Sequence, residues 1–403
     1  MTQRPLGGPF SAVLERVHKH VSRLARRLRG VEHKVVHLAP DRDPRGRALL
    51  SFFIDPFLLS PAAAVGNSHT HHWDSVVMAA TLLDLGFAVD VIHWTNDRFQ
   101  PEHKYDLLVD PRYNVERLAR ALGPTCRKLM HLDTAHWRFH NTAELTRLTE
   151  LRERRGVDLR PRRQMAPSQG IDHADAATLY GNRWTLTTYT DAGALKPLLP
   201  VPMTSPCVYP PPDGKDFESA RQRFLWLGSG GLVHKGLDLV LEAFAGMPDL
   251  HLTVCGPIGN ERDFTTAYAR ELRDTPNIEV VGWTDVGGEA FYRIARRSLG
   301  VVYASCSEGQ NGGVVTCLHA GLIPVVSRES GVDVDPSYGI RLESTRVETI
   351  QHAVRSLSAR STGDLRDMAH AAWAFARAHH GREHFAAAYR RAVEQVMSGE
   401  PAR

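Results

Sequence analysis

Strand-like and helical segments alternate regularly along the second half of this chain, and that alternation limits the folds it can adopt. After Arg223 the helical segments include LDLVLEAFAG, TTAYARELRD and EAFYRIARRS. The apolar runs of strand length that separate them are FLWLG, LHLTVCG, NIEVVGW, LGVVYAS and IPVVS. Such an alternation is typical of a parallel sheet covered by helices on both faces. We therefore expect an α/β, doubly wound, Rossmann-like domain.

The first half shows the same alternation more weakly, with strand-like ALLSFFI, FAVDVIHW and RKLMHLD and helical SVVMAATLLDLG and NVERLARALG. Residues 141–165 are rich in Arg and Glu without a strong apolar face, and the run PVPMTSPCVYPPPDG has no secondary-structure period. A chain of 403 residues has room for two cores. We predict a segment 1–45, Rossmann-like domains over 46–205 and 206–381, and a last helix within 382–403.

The composition excludes several classes of protein. Apolar residues make up 42% of the chain, and no apolar run approaches the roughly 18 residues of a membrane span. The first residues do not resemble a secretory signal, so a cytoplasmic location is expected. Five scattered cysteines without a CxxC pair argue against a disulfide framework and a structural zinc site.

Residues 10–29 have the pattern of a basic amphipathic helix. Apolar residues recur there at steps of three and four, and six Lys or Arg side chains lie between Arg16 and Arg29. Such a helix can lie on the anionic inner face of a membrane or pack on the protein body as an ordinary surface helix. Nucleic-acid binding is rejected, because the net charge is only +4 and no recognition motif is present.

Two glycine-containing loops are predicted to share one edge of the second sheet, where parallel sheets bind ligands. The loop 228–236 ends with Lys235 at a helix start, and the loop 305–313 carries Glu308 and then glycines before a helix. Backbone amides, helix dipoles and the lysine all favour a phosphate. The alternatives are a tight turn for the first loop, which is not a P-loop since Gly236 follows the lysine, and a simple helix cap for Glu308.

These segments resemble a known family. The runs GSGGLVHKGLDLVLEAF, LHLTVCGP, NIEVVGW and YASCSEGQNGGVVTCLHAGLIPVVS are similar, in order and spacing, to the donor domain of family 4 retaining glycosyltransferases. The resemblance covers 223–327, and the terminal HFAAAYRRAVEQV is similar to the helix that crosses back onto the first domain in that family. It implies the GT-B architecture, in which two Rossmann-like doubly wound domains face a central cleft, and a nucleotide-sugar donor.

The resemblance also implies roles for particular residues. Lys235 matches the lysine that contacts the donor diphosphate, and Glu308 matches the first glutamate of the EX7E motif, which holds the sugar. Lys235 and Glu308 are therefore expected to be catalytic, and no metal or cofactor is required, because the protein supplies the positive field. The residues expected to bind the donor are Ser229, Gly230, Gly231, Lys235, Glu308, Asn311, Gly312, Gly313 and Thr316.

Two departures from the family pattern concern the donor. No arginine precedes Lys235 in the stretch 229–231, and Thr316 stands where the second EX7E glutamate normally holds the ribose. Threonine gives only a neutral hydrogen bond, which is weaker than one to a carboxylate. Either donor recognition is altered or activity is lost, and the second hypothesis is therefore a catalytically inactive GT-B-shaped binding or scaffold protein.

Histidines of the first half are further candidates. His131 ends a predicted strand and is expected either to face the cleft as a third catalytic residue or to be a hydrogen-bonded core histidine. His69, His71 and His72 are expected to contact acceptor or phosphate, with zinc as an alternative that lacks a supporting carboxylate or cysteine in the usual spacing. His136, Trp137 and His140 suit a sugar ring but are left outside the predicted site.

The leading hypothesis is a retaining glycosyltransferase that transfers a sugar from a nucleoside diphosphate to a glycan, exopolysaccharide or lipid-linked acceptor. A nicotinamide-dependent oxidoreductase is the remaining alternative, since glycines follow the strand FLWLG. That fingerprint needs an acidic residue at the end of the next strand, where this chain has Cys255 and Gly256.

Overall fold

A computed structural model describes residues 30–58 and 70–399 of the chain. It contains two separate sheets, each dominated by parallel strands and covered by helices. This arrangement confirms the predicted α/β class with two doubly wound halves. The basic segment 10–29 and His69 lie outside the described residues.

The first sheet has seven strands in the order β1-β3-β2-β4-β5-β6-β7, and only β1 runs antiparallel to its neighbour, β3. Its strands are β1 (Val35–Leu38), β2 (Gly46–Phe52), β3 (Phe87–His93), β4 (Leu107–Asp110), β5 (Arg127–Leu132), β6 (Ala176–Tyr180) and β7 (Leu198–Val201). The accompanying helices are α1 (Asp55–Leu58), α2 (Thr70–Asp84), α3 (Tyr113–Leu122), α4 (Trp137–Arg155), α5 (Gly170–His173) and α6 (Arg183–Asp191).

The second sheet is entirely parallel, with six strands in the order β10-β9-β8-β11-β12-β13. Its strands are β8 (Arg223–Leu227), β9 (His251–Cys255), β10 (Ile278–Gly282), β11 (Gly300–Tyr303), β12 (Ile323–Ser327) and β13 (Ile340–Leu342). Its helices are α7 (Phe217–Ala220), α8 (Leu237–Ala245), α9 (Arg262–Ala267), α10 (Ala269–Arg273), α11 (Glu289–Arg297), α12 (Gly312–His319), α13 (Val347–Ser358), α14 (Thr362–His379) and α15 (Arg382–Ser398).

Burial explains why these strands were readable from sequence. Every residue of β3, β4, β11 and β12 is buried, as expected for strands covered by helices on both faces. Such strands appear as continuous apolar runs, which is the pattern that VVY and IPVV show. The apolar area that they bury is the main favourable contribution to the stability of both sheets.

Helix α4 was not predicted from the sequence, which shows no strong apolar face over residues 141–165. The helix was missed because the side chains that face the second domain are charged rather than apolar. They form ion pairs across the domain boundary. Arg154 binds the carboxylates of Asp238 and Glu242 at 2.8 and 2.7 Å, and Arg155 binds Glu271 at 2.6 Å. Strands β1, β6, β7 and β13 were also missed, and β1 lies within the predicted segment 1–45.

The last helix, α15, leaves the second sheet and packs on the first, against β5, β6, β7 and α2. Its Phe385 stacks on Tyr180 at 5.8 Å between ring centroids and contacts Trp73 of α2 edge-on. Arg390 pairs with Asp84 at the end of α2. The two halves are thus joined by the returning helix as well as by α4. In the described part of the chain, no helix is both long and apolar enough to cross a membrane.

Candidate functional site

The carboxyl ends of β8 and β11 bring Lys235 and Glu308 together. Lys235 ends a turn that needs positive φ angles at Gly231 (89°) and Gly236 (72°), which glycine adopts readily. Gly236 also lies directly on the backbone that follows β11, where an added Cβ would come 2.2 Å from the carbonyl oxygen of Ala304. The turn therefore fixes Lys235 against the loop that carries Glu308.

Lys235 donates a 2.6 Å hydrogen bond from Nζ to Oε1 of Glu308. The same oxygen accepts from the hydroxyl of Tyr303 at 3.0 Å and from Nδ2 of Asn311 at 3.2 Å. Lys235 is 4% exposed and Glu308 8%. Burial alone would raise the pKa of Glu308, but the adjacent Lys235 and further cations lower it to about 2, so the carboxyl stays ionised.

The start of α12 is joined to this pair through Asn311. The side-chain oxygen of Asn311 caps the helix by accepting from the amide of Val314 at 2.9 Å. The amides of Gly312 and Gly313 donate to no acceptor within residues 30–58 and 70–399, and both glycines are partly accessible. Two free amides at a helix start, beside a lysine, form a site suited to an anion.

The glycine loop after β8 differs from the predicted phosphate cradle. The carboxylate of Glu261, which lies after β9 on the same edge, accepts from the amide of Gly231 at 2.5 Å and from that of Leu232 at 3.3 Å. The carboxylate of Glu261 thus accepts hydrogen bonds from amides of the loop that was predicted to bind the diphosphate. Burial raises the pKa of Glu261, against the effect of these amides. Glu261 was missed, although it follows a strand that ends on the predicted edge.

Thr316 lies inside helix α12 and is 3% exposed. Its hydroxyl donates to the carbonyl of Gly312 at 2.8 Å, and the hydroxyl of Ser205 lies 3.5 Å away. The hydroxyl is therefore engaged within the helix and by the segment that links the two sheets.

His131 is a hydrogen-bonded core histidine, one of the two arrangements expected for it, and does not face the cleft. It is fully buried among Phe52, Tyr180 and Phe385. The hydroxyl of Thr178 donates to a backbone carbonyl, so Nδ1 of His131 carries the hydrogen that it shares with Thr178 at 2.8 Å. Burial and the neighbouring His71 lower the pKa of His131 to about 3, so the ring is neutral.

His140, which the sequence analysis left outside the site, joins the two domains. Its Nε2 donates to the carbonyl of Arg163 at 2.9 Å, so its Nδ1 is the acceptor that receives the hydroxyl of Ser307 at 3.1 Å. Its ring centroid lies 4.5 Å from that of His234, beside Lys235. Nearby, Arg147 of α4 donates to the carbonyl of Ala304 at 3.0 Å. No sequence motif marks these contacts, because they join residues distant along the chain.

His71 and His72 lie at the start of α2. Nδ1 of His71 is 3.1 Å from a carboxylate oxygen of Asp74, and its ring stacks on Phe53. Burial lowers the pKa of His71, but the hydrogen bond and charge of Asp74 outweigh that effect and raise it. Within the described ranges, no three His, Cys, Asp or Glu side chains are arranged to hold a metal ion.

A cavity of about 300 Å³ opens at the carboxyl edge of the first sheet, and its lining includes His140, which is bonded to Ser307 of the second domain. Trp94 and Tyr113 stack on one wall, with centroids 6.1 Å apart. The ion pair of Arg112 and Asp133 lies on another wall, and Arg112 holds the pKa of Asp133 well below its usual range in spite of burial. Paired aromatic faces beside fixed charges suit a hydroxylated ring.

The structure therefore joins Lys235, Glu308 and Asn311 in one network, and Gly312 and Gly313 follow directly at the start of α12. Ser229, Gly230 and Gly231 lie on the adjacent loop, and Glu261 contacts Gly230 and Gly231. Thr316 is buried behind the network and His131 is in the core of the first domain.

No family model matches the sequence, and no curated protein matches it. Solved structures do match. Sucrose-phosphate synthase from Thermosynechococcus elongatus superposes with a TM-score of 0.64 at 13% identity, over 89% of this chain and 100% of that one. HepE from Anabaena, in complex with UDP and glucose, has a TM-score of 0.55 at 12% identity, over 88% and 100%.

TarM from S. aureus, in complex with fondaparinux, α-GlcNAc-glycerol and UDP, has a TM-score of 0.52 at 9% identity. That match covers 72% of this chain and 55% of the TarM chain. At such identities the likeness is one of fold. The chain has the GT-B fold of these glycosyltransferases, as the sequence resemblance implied.

Proposed function

We propose that this protein is a retaining glycosyltransferase that transfers a sugar from a nucleoside-diphosphate sugar to a glycan, exopolysaccharide or lipid-linked acceptor. The observation that carries the proposal is the network of Lys235, Glu308 and Asn311 at the start of α12, with the free amides of Gly312 and Gly313 beside it. The network lies at the carboxyl edge of the second sheet and faces that of the first, where GT-B proteins have their cleft.

In the proposed reaction the bond between the anomeric carbon and the diphosphate oxygen breaks, and a bond to the acceptor hydroxyl oxygen forms on the same face. The hydroxyl proton passes to the departing diphosphate oxygen, so that charge and atoms balance. The transition state is oxocarbenium-like, and the leaving diphosphate gains negative charge. Lys235 and the amides of Gly312 and Gly313 stabilise that charge without a metal.

The proposed role of Glu308 is to hold the sugar. Its carboxylate is ionised and positioned by three donors, so a remaining lone pair can accept from a sugar hydroxyl with charge-assisted strength. The proposed acceptor side is the cavity that Trp94, Tyr113 and Asp133 line, since its lining includes His140, which is bonded to Ser307 next to Glu308. Those aromatic faces support an acceptor that carries a sugar ring.

The test is a thermal-shift and calorimetric screen of the whole chain against UDP, GDP, ADP and dTDP sugars and a CMP sugar. A ligand that binds only the folded state raises the melting temperature, by an amount that depends on its concentration relative to Kd. We expect one diphosphate sugar to stabilise the protein and its free sugar not to. A chain indifferent to all of them contradicts the proposal.

The second candidate function is a GT-B-shaped binding or scaffold protein without turnover. Two observations favour it, namely the carboxylate of Glu261 on the Gly231 amide and the burial of Thr316. The two functions differ in one measurable respect. Slow hydrolysis of a bound nucleotide sugar, followed by release of the nucleoside diphosphate, indicates the enzyme, whereas binding without any release indicates the scaffold.

A cytoplasmic location and contact of residues 10–29 with an anionic membrane belong to the same proposal and rest on the sequence alone. The segment holds Arg23, Arg26, Arg27 and Arg29. Each basic residue near an anionic surface contributes on the order of 1 kcal/mol. Replacing these four arginines by glutamine is expected to abolish sedimentation with phosphatidylserine vesicles while leaving binding to uncharged vesicles unchanged.

A further inference from the structure

The charged side chains at the two loops proposed to bind the donor, 228–236 and 305–313, are mostly paired already. Lys235 is bound to Glu308, and the carboxylate of Glu261 faces the amides of Gly231 and Leu232. The two carboxylates oppose the approach of a diphosphate, which itself carries several negative charges. Binding one therefore needs a cation that is close to the loops and not yet paired.

Arg163 meets both conditions. The residue belongs to the segment after α4 in the first domain, yet its side chain lies on Gly231 of the second. A Cβ added at Gly231 would lie 2.6 Å from Cγ of Arg163 and 2.8 Å from its Cδ. Its charge contributes to the lowered pKa values of both Glu308 and Lys235. Across residues 30–58 and 70–399, its guanidinium has no hydrogen-bond or ion-pair partner.

The backbone beneath Arg163 is held firmly. Its amide donates to both carboxylate oxygens of the buried Glu144, at 2.9 and 3.1 Å, and its carbonyl accepts from His140. Gln164 also donates to Glu144, at 2.7 Å. The preceding Arg162 is unavailable for a ligand, because it is paired with Asp263 at 2.6 Å. Arg163 is thus a free guanidinium on an anchored loop, an arrangement that needs little reorganisation to bind.

We infer that Arg163 binds the donor diphosphate from the first domain, opposite Lys235 and the amides of α12. The inference rests on the proposed function and adds a donor-binding residue to it. A guanidinium can give two parallel hydrogen bonds to phosphate oxygens, which a lysine cannot. Because Arg163 and Lys235 belong to different domains, the donor site is complete only when the domains are closed.

The experiment compares the whole chain with Arg163→Gln, Arg163→Lys and Arg160→Gln. Arg160 is the matched control, since it is exposed, lies on the same segment and carries the same charge. Calorimetry with UDP, GDP, ADP and dTDP, and with the corresponding monophosphates, gives the affinities at low and high salt. Melting curves check the fold, which Arg163→Gln leaves intact because the bonds to Glu144 use the backbone.

We expect Arg163→Gln to lower the affinity for the diphosphate about tenfold, because one charge-assisted contact is lost. The affinity for the monophosphate should fall less. Arg163→Lys should recover part of the affinity, and Arg160→Gln should bind as the unchanged chain does. Equal affinities for all variants, or an equal loss in the two glutamine variants, overturn the inference. If the unchanged chain binds none of these diphosphates, it is the proposed function that fails.

Discussion

The hydroxyl of Thr185 in the first domain donates to the carbonyl of Gly309 in the second, at 2.9 Å. Gly309 itself lies against the first sheet, where an added Cβ would come 2.5 Å from the carbonyl oxygen of Asp133 and 2.7 Å from that of Tyr180. The loop that carries Glu308 is therefore held under the carboxyl ends of β5 and β6. These contacts hold the first domain against the loop that carries Glu308, next to the Lys235–Glu308 pair.

Gly309→Ala should hold the domains apart. The new methyl group cannot fit beside two backbone oxygens, so the loop or the first domain must move. We expect faster hydrogen exchange in residues 305–311 and a larger radius of gyration by X-ray scattering. Gly259→Ala is the control, because the described residues, apart from its chain neighbours, place no atom within 4 Å of a Cβ at that glycine. Unchanged exchange and an unchanged radius in Gly309→Ala contradict a closed, tightly packed contact.

The two glycines that begin α12 should respond differently to alanine. A Cβ at Gly313 would lie 2.9 Å from the carbonyl oxygen of Leu227, whereas at Gly312 the nearest atom is the sulfur of Met203 at 3.7 Å. Gly312→Ala is expected to be neutral or to stabilise by up to about 1 kcal/mol, through the lower entropy of the unfolded chain. Gly313→Ala should lower the melting temperature and weaken diphosphate binding. Equal effects of the two substitutions on melting and binding are inconsistent with this geometry.

Lys235→Ala should cost stability as well as donor binding. It leaves the carboxylate of Glu308 buried without its cation, and breaking a buried pair in this way typically costs about 3–5 kcal/mol. A double variant, Lys235→Met with Glu308→Gln, should keep much of the stability that Lys235→Ala loses, because no uncompensated buried charge remains. Urea unfolding measures the first effect and calorimetry with UDP the second. A fully stable Lys235→Ala variant argues against a strong buried pair, and full diphosphate affinity in the double variant removes Lys235 from the donor site.

The elements that bury continuous apolar runs could be predicted from the sequence, and so could the loops between them. Lys235, Glu308 and Asn311 were found because they follow neighbouring strands of one sheet, whose carboxyl ends meet at a common edge. The two sheets and the helix that returns to the first one follow from the same local patterns together with the family resemblance.

Contacts between distant segments could not be predicted, because no periodicity records them. Helix α4 is polar on the side where Arg154 and Arg155 meet the second domain, so the criterion of an apolar face failed. Glu261 and Arg163 reach Gly231 from separate segments, and only the folded chain shows that a carboxylate and a guanidinium share that loop. For His131 the sequence shows only that the residue ends a strand. That position alone did not decide whether its side chain lies in the core or in the cleft.

The stability of the second domain should fall in mild acid because of two buried histidines, His319 and His380. Nε2 of His319 donates to the carbonyl of His380 at 3.2 Å, and Nδ1 of His380 donates to the carbonyl of Met203 at 2.9 Å. Burial lowers the pKa of each to about 4 from 6.5. The unfolded chain therefore binds more protons than the folded one between about pH 4 and pH 6.5, and stability decreases as the pH falls through that range.

Each histidine contributes a slope of up to about 1.4 kcal/mol per pH unit there. The depressed pKa of Glu308, about 2, acts in a lower range, where its stabilising effect is lost as the pH falls from about 4.5 towards 2. His380→Asn keeps a side-chain donor for the Met203 carbonyl but removes the titration, so it should flatten the curve of unfolding midpoint against pH above pH 4. The exposed His352→Asn is the control and should leave that curve as it is. An undiminished slope in His380→Asn means that this histidine is not held neutral by the fold.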